Sequence, residues 1–125
     1  MSQDVPLLAV VDDDADVRVA LTRLVSSAGF AVETFASGAE FLRSIEDHAP
    51  DCLVLDLHMP DMSGFDVQAA LMRGRATVPV IVITGHDTPE SRARAVQLGA
   101  KCYLCKPVND DVLLEAIGRA IGECA

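Results

Sequence analysis

The sequence predicts a single α/β domain with one five-stranded parallel sheet, doubly wound by helices in a (βα)5 order. Short apolar runs alternate five times with segments whose apolar residues recur at helical spacing. Alternation of this kind with short connections is typical of a parallel sheet covered on both faces. The length of 125 residues, half of them hydrophobic, suits one domain with one substantial core. We therefore predict a domain over residues 7–125 and an N-terminal tail over residues 1–6.

The first unit joins an apolar strand to an amphipathic helix. Leu7–Val11 (LLAVV) is a continuous apolar run, as expected for a strand that is buried on both faces. The helix opens at Asp14 or Ala15, and Gly29 is placed to end it as the residue after the C-cap.

The second unit is weaker, and the third begins with a short buried strand. Phe30–Phe35 is predicted as a strand, and Ser37 with Glu40 three residues later has the spacing of a helix capping box. Pro50 is predicted to end that helix, and Cys52–Leu55 reads as the third strand.

The middle of the chain continues the alternation. A third helix is predicted from Phe65 to about Met72, followed by a β-branched strand over Val78–Thr84. Thr88-Pro89 is typical of an N-cap followed by proline, and Gly99 ends the fourth helix. The predicted apolar face of that helix is thin and consists of Ala93, Ala95, Val96 and Leu98.

The last unit contains the fifth strand and the fifth helix. Ala100–Cys105 is predicted as a strand that Lys106-Pro107 ends. Asn109 or Asp110 is predicted to cap the final helix. Its inward side is expected to hold Leu113, Ala116, Ile117, Ala120 and Ile121.

Composition narrows the class of protein. The net charge of −9 argues against a nucleic-acid-binding surface on this chain. The N-terminus lacks the basic and apolar regions of a signal peptide, and no apolar run approaches the roughly 20 residues that cross a bilayer. We therefore expect a cytoplasmic protein with no membrane partner.

The four cysteines are Cys52, Cys102, Cys105 and Cys124. Cys102 and Cys105 form a C-x-x-C, which in redox sites opens a helix. Here the pair lies on a predicted strand, where a step of three residues points side chains to opposite faces. Ordinary reduced thiols are therefore favoured over a redox or metal site.

Polar side chains follow the predicted strands at the positions where the strands end. Asp12 and Asp13 follow the first strand, Asp56 the third, Thr84 ends the fourth and Lys106 follows the fifth. Because carboxyl ends of parallel strands share one edge of the sheet, these five side chains are expected to converge. Each residue type is common at strand ends, so the indication lies in the combination.

The combination suits phosphoryl transfer to a carboxylate. Crowded carboxylates resist ionisation unless a cation accompanies them, and oxygen ligands suit Mg²⁺. Lys106 and Thr84 add an ammonium and a hydroxyl donor for phosphoryl oxygens. Phosphoryl transfer needs mainly positioning and charge neutralisation, so Asp56 is predicted to be the nucleophile.

Four motifs resemble the response-regulator receiver domains of two-component signalling, along essentially the whole chain. They are VVDDD at 10–14, LDLHMPDMSG at 55–64, VITG at 82–85 and GAKCYLCKP at 99–107. The segments VITGH and MPDMSG also resemble the FixJ-like subgroup. The resemblance implies the flavodoxin-like receiver fold.

The resemblance also implies roles for individual residues. Asp56 would accept the phosphoryl group, and Asp13 would bind Mg²⁺ directly with Asp12 assisting. Asp56 and the backbone carbonyl of His58 would complete the protein ligands of the metal. Lys106 would pair with the phosphoryl group.

Further positions would report or tune phosphorylation. Thr84 would move towards the phosphoryl oxygen and Tyr103 would turn inward with it, while Pro107 would follow a cis peptide bond. His58 and His86 occupy positions that tune loss of the phosphoryl group in this family. An exposed loop histidine without a role is the simpler interpretation of each.

The predicted function is therefore a signalling switch that a histidine kinase or phosphotransfer protein phosphorylates. The output surface would be the face formed by the fourth helix, fifth strand and fifth helix, which could also form a homodimer. No enzyme activity is expected beyond self-phosphorylation and slow autodephosphorylation of Asp56. The alternatives are a phosphate-independent receiver-like interaction module and a phosphohydrolase with an aspartate nucleophile. A phosphohydrolase of this kind would carry a D-x-D motif, and this chain has His58 in place of the second Asp.

Overall fold

The computed structural model describes residues 5–74 and 77–123, which form five strands and five helices in strict alternation. The strands are β1 (Leu7–Val11), β2 (Ala31–Phe35), β3 (Cys52–Asp56), β4 (Val80–Thr84) and β5 (Cys102–Cys105). The helices are α1 (Ala15–Ser27), α2 (Gly38–Ser44), α3 (Gly64–Arg73), α4 (Pro89–Gln97) and α5 (Asp110–Glu123). No described helix is long and apolar enough to cross a membrane.

The five strands form one parallel sheet in the order β2-β1-β3-β4-β5. This is the flavodoxin-like order, which confirms the predicted doubly wound fold. The order places β1 beside β3 and β3 beside β4, so the strands that end in Asp12, Asp56 and Thr84 are neighbours.

Alternation along the strands divides the core into two clusters. Ala9, Val11 and Leu55 lie in the cluster that includes Phe41 of α2 and Val67 of α3. The opposite cluster holds the intervening strand residues with side chains of α1 and α5. Successive strand residues point to opposite faces, so continuous apolar runs are needed in a sheet covered on both sides.

Helix boundaries follow local capping. Ser37 accepts a bond from the Glu40 amide at 3.2 Å, which is one half of the predicted capping box. A complete capping box occurs instead between Ser63 and Asp66 at the start of α3. A capping box usually has Glu or Gln at this third position, but here the Asp66 carboxylate accepts from the Ser63 amide at 3.1 Å.

Several predicted boundaries were wrong by a few residues. β4 begins at Val80 and β5 at Cys102, each two residues later than predicted, and β2 begins one residue later. α2 ends at Ser44, well before Pro50, because the chain turns over residues 45–47. Positions 1–4 of the predicted tail, and Cys124, lie outside the described residues.

The predicted inward face of α4 is also wrong in part. Ala95 is the buried residue of this helix, whereas Ala93 is exposed and Val96 is 59% exposed. A helix with few apolar residues gives a weak pattern, so packing against the sheet decides its rotation. By contrast, the inward residues predicted for α5 all lie in or against the core.

Candidate functional site

Three carboxylates converge at the carboxyl edge of the sheet. Asp12, Asp13 and Asp56 each offer an oxygen, and these atoms lie within 4.8 Å of one another. Asp12 is fully buried and Asp56 is 3% exposed, whereas Asp13 is exposed. The cluster is therefore buried at the carboxyl edge of the sheet, and only the side that carries Asp13 is exposed to solvent.

Lys106 lies between two of these carboxylates. Its Nζ donates to Asp12 Oδ2 at 3.0 Å and lies 3.6 Å from Asp56 Oδ1. Burial lowers the pKa of Lys106, but the bond to Asp12 and the charge of Asp56 outweigh burial and raise it overall. The ammonium is therefore held in its charged form where negative charge is concentrated.

The environment of Asp56 disfavours its ionised form. Burial raises the pKa of this carboxyl above its ordinary value, and the charge of Asp12 raises it further. Lys106 and the His58 amide, which donates to Asp56 Oδ1 at 3.3 Å, lower the pKa but do not cancel the increase. An additional cation beside Asp56 would stabilise its ionised form and so lower its pKa.

The donor set fits a hard divalent cation. Three carboxylates face one ammonium, so negative charge remains uncompensated at the site. The convergent donors are oxygen atoms, which suit Mg²⁺ better than a metal that prefers sulfur or imidazole. The carboxylates of Asp12, Asp13 and Asp56 therefore form the candidate metal-binding group.

The loop after β3 is fixed by close backbone packing. The Gly64 amide donates to Leu57 O at 3.0 Å. A Cβ at Gly64 would lie 2.6 Å from Asp56 O and 2.8 Å from Leu57 Cα. Gly64 therefore lets α3 begin directly against the backbone that carries Asp56, a role that the sequence alone did not reveal.

The loop after β1 is held by contacts from α1. Arg18 Nη1 donates to Asp12 O at 2.7 Å, and the Asp14 amide donates to Asp12 Oδ1 at 2.9 Å. Asp14 is the N-cap of α1 and accepts from the Asp16 amide. Asp14 thus acts as a helix-opening residue, and sequence reasoning missed the contribution of Arg18.

Thr84 ends strand β4, and the two predicted tuning histidines lie on the loops that follow β3 and β4. Thr84 is fully buried at the end of β4, and its Oγ1 accepts from the His86 amide at 3.1 Å. His58 and His86 are exposed, and their rings meet edge to face with centroids 5.5 Å apart. The structure therefore brings the histidines together, although they are 28 positions apart in the chain.

Tyr103 lies apart from the carboxylates, on the edge strand β5. It packs against the core cluster that contains Val82 and Ala95, and its hydroxyl is buried with no hydrogen bond to any described residue. Burial, with the nearby Asp87 carboxylate, raises the pKa of Tyr103 to about 12. Tyr103 thus faces the core in this structure, and its movement with Thr84 on phosphorylation stays a prediction.

Other predictions concern Pro107 and the cysteines. The Lys106-Pro107 peptide bond is cis, as the resemblance implied. Cys102 packs against one core cluster whereas Cys105 is exposed, and neither takes part in a disulfide. This agrees with the prediction that the C-x-x-C lies along a strand.

The sequence matches the family described as response regulator receiver domain over residues 8–118. The chain belongs to this family. It is 39% identical to the response regulator protein TodT of Pseudomonas putida over 121 residues, which are 97% of this chain and 53% of TodT. The chain thus spans about half the length of this curated relative.

Solved structures agree with the receiver fold. FixJ-N is 38% identical with a TM-score of 0.88, covering 97% of this chain and 96% of that chain. A CheY-like receiver domain from Methanospirillum hungatei is 28% identical with a TM-score of 0.91, covering 96% of both chains. The FixJ-like resemblance seen in the sequence is thus matched by a structural neighbour.

Membership of the receiver family sets the general class of activity. Receiver domains of response regulators are in general signalling domains rather than enzymes, and histidine kinases typically phosphorylate them. They generally bind Mg²⁺ at an acidic pocket, and this chain has a carboxylate cluster of the corresponding kind.

Proposed function

We propose that residues 7–125 form a receiver domain that accepts a phosphoryl group on Asp56 and changes its α4-β5-α5 face in response. The phosphoryl donor is a histidine kinase or a phosphotransfer protein, and the site is cytoplasmic. One observation carries the proposal: the Lys106 ammonium lies 3.6 Å from Asp56 in a cluster of three carboxylates, of which Asp12 and Asp56 are buried. Burying these two carboxylates costs desolvation free energy, which is expected where their charges serve a function.

The transfer needs little beyond positioning by this chain. An Asp56 oxygen attacks phosphorus, the bond from phosphorus to the donor nitrogen breaks, and the imidazole leaves after taking a proton. Mg²⁺ held by Asp12, Asp13, Asp56 and the His58 carbonyl would neutralise charge on the phosphoryl oxygens. Lys106 would exchange its contact with Asp56 for a contact with the new phosphoryl oxygen.

Thr84 and Tyr103 would report the new charge. A phosphoryl group adds about −1.5 to −2 charges and strong acceptor oxygens. The Thr84 hydroxyl, at the end of the strand next to β3, would donate to one of these oxygens. A conformation that permits this bond is favoured by phosphorylation, and Tyr103 lies inward in that conformation. The resulting surface is a candidate homodimer interface.

Phosphorylation by acetyl phosphate and Mg²⁺, followed by intact-mass measurement, tests the proposal. The wild-type chain is expected to gain one phosphoryl mass, which Asp56→Asn should lose. Asp61→Asn is the matched control, because Asp61 is an exposed acid in the same loop. A chain that never gains the mass would be a phosphate-independent module. Rapid turnover of free phosphomonoesters would instead indicate a phosphohydrolase.

A further inference from the structure

Arg92 of α4 covers the ring of Tyr103. Its guanidinium carbon lies 4.6 Å from the ring centroid, within the range of a cation–π contact. The same guanidinium reaches the loop after β4, where Arg92 Nη2 lies 3.6 Å from Asp87 Oδ2. One side chain therefore connects helix α4, strand β5 and the loop that follows Thr84.

Asp87 completes this group from the other side. The Asp87 carboxyl has a lowered pKa, caused first by the Tyr103 hydroxyl and also by the charge of Arg92. The buried Tyr103 hydroxyl makes no hydrogen bond of good geometry with a described residue, although it lies near enough to Asp87 for the two groups to shift each other's pKa. Its inward position therefore depends on the contacts of the ring together with the nearby Asp87 carboxylate. Arg92 makes the charged contact with that ring.

Few apolar contacts hold α4 in place. Ala95 is its buried residue, and Gln68 Nε2 of α3 donates to Ala95 O at 3.0 Å. Arg94 stacks over Phe65 of α3 with its guanidinium carbon 4.4 Å from the centroid. Helix α4 is thus held by one small buried side chain, by a hydrogen bond from Gln68 and by the cation–π contacts of Arg92 and Arg94.

We propose that Arg92 is a positioning residue that holds Tyr103 in its inward position and so couples that ring to helix α4. The proposal rests on the proposed function, in which inward Tyr103 accompanies the phosphorylated state. Loss of the Arg92 contact frees the ring to turn outward and makes phosphorylation less favourable. Asp87 assists Arg92 in this role, because its carboxylate pairs with the guanidinium at 3.6 Å and so helps to fix the guanidinium beside the ring.

The chain offers an internal probe for this test. Tyr103 is the single tyrosine and the chain has no tryptophan, so tyrosine fluorescence reports Tyr103 alone. Arg92→Gln removes the cation, and Arg92→Lys keeps the charge but loses the planar stacking surface. Arg94→Gln is the matched control, since it removes a cation–π contact of the same helix without touching Tyr103.

Two measurements follow, both on the full chain. Acrylamide quenching of tyrosine fluorescence is expected to rise in Arg92→Gln and to remain at the wild-type level in Arg94→Gln. The apparent affinity for beryllofluoride with Mg²⁺ is expected to weaken about two- to five-fold in Arg92→Gln, as one exposed cation–π contact allows. In both measurements, Arg92→Lys is expected to lie between wild type and Arg92→Gln.

The outcomes separate the two proposals. Equal quenching in wild type and Arg92→Gln would overturn the role of Arg92, as would the same increase in Arg94→Gln, because a general loosening of α4 would explain both. A wild-type chain that does not respond to beryllofluoride would overturn the proposed function. The quenching comparison without beryllofluoride would still decide whether Arg92 holds Tyr103. Circular dichroism would show that each variant is folded.

Discussion

Lys106 Nζ lies 3.0 Å from Oδ2 of Asp12, a carboxylate that is fully buried at the end of β1. The two residues are 94 positions apart in the chain. Their ion pair therefore links the residue that follows β1 to the residue that follows β5. The same ammonium lies 3.6 Å from Asp56, which makes Lys106 a shared counterion.

Lys106→Gln is expected to destabilise the protein by about 1–3 kcal/mol, because it leaves the buried Asp12 carboxylate without its charged partner. Urea unfolding without divalent ions measures this free energy. Lys101→Gln removes the chain's other lysine, which is exposed, and should change stability little. Equal stability of the two variants would contradict the structural importance of the Lys106–Asp12 pair.

Asp56→Asn is expected to raise stability near neutral pH when divalent ions are absent. The folded-state pKa of Asp56 is raised above its ordinary value of 3.8, so the folded protein binds this proton more tightly than the unfolded protein does. Wild-type stability therefore falls as pH rises from 3.8 through the raised folded pKa. The advantage of Asn should be largest above that pKa and shrink as the solution is acidified.

Thermal unfolding of both proteins over a pH series checks this difference, with Asp61→Asn as the exposed control. A gain in melting temperature that stayed constant down to acidic pH would show that Asp56 titrates without penalty in the folded state. Added Mg²⁺ should reverse the order, because ligand binding to the folded wild type stabilises it.

Gly64→Ala is expected to destabilise the protein by about 1–3 kcal/mol, because the added Cβ meets backbone atoms that cannot move aside. These atoms are Asp56 O at 2.6 Å and Leu57 Cα at 2.8 Å. Because the clash would displace the backbone that carries Asp56, phosphorylation by acetyl phosphate should also slow. Gly118→Ala in α5 is the control. Its Cβ meets nothing within 4 Å, and helix propensity predicts a gain of roughly 0.5–1 kcal/mol. Similar losses in both variants would refute the specific contact.

His58→Gln and His86→Gln are each expected to change the half-life of phosphorylated Asp56, because the two rings meet at the edge of the site. Decay of the phosphorylated form, followed by intact mass, measures the half-life. Contacting residues give non-additive effects, so the double variant should differ from the product of the single effects. His48→Gln is the control, since His48 pairs with Glu33 elsewhere on the surface. Three unchanged half-lives would leave the histidines without a role.

The sequence was most informative where a rule of geometry links distant positions. Asp12, Asp56 and Lys106 could be predicted to meet because carboxyl ends of parallel strands share an edge. The fold followed from apolar runs that only a sheet covered on both faces requires. Neither inference needed the placement of individual side chains.

Contacts that depend on helix rotation could not be predicted in the same way. The few apolar residues of α4 did not show which side faces the sheet, so Val96 was placed inward although it is 59% exposed. For the same reason the contact of Arg92 with Tyr103 was not foreseen. The need for glycine at position 64 depends on how closely two backbones approach, which no local pattern records.

The exposed surface of α4 has a consequence for how such a domain acquires new partners. Because Ala95 is the buried residue of this helix, the exposed positions other than Arg92 and Arg94 can change without disturbing the packed interior. Asp56 and its counterion lie on different elements from these positions. Specificity of output is therefore free to diverge among descendants of this domain while the chemistry is inherited intact.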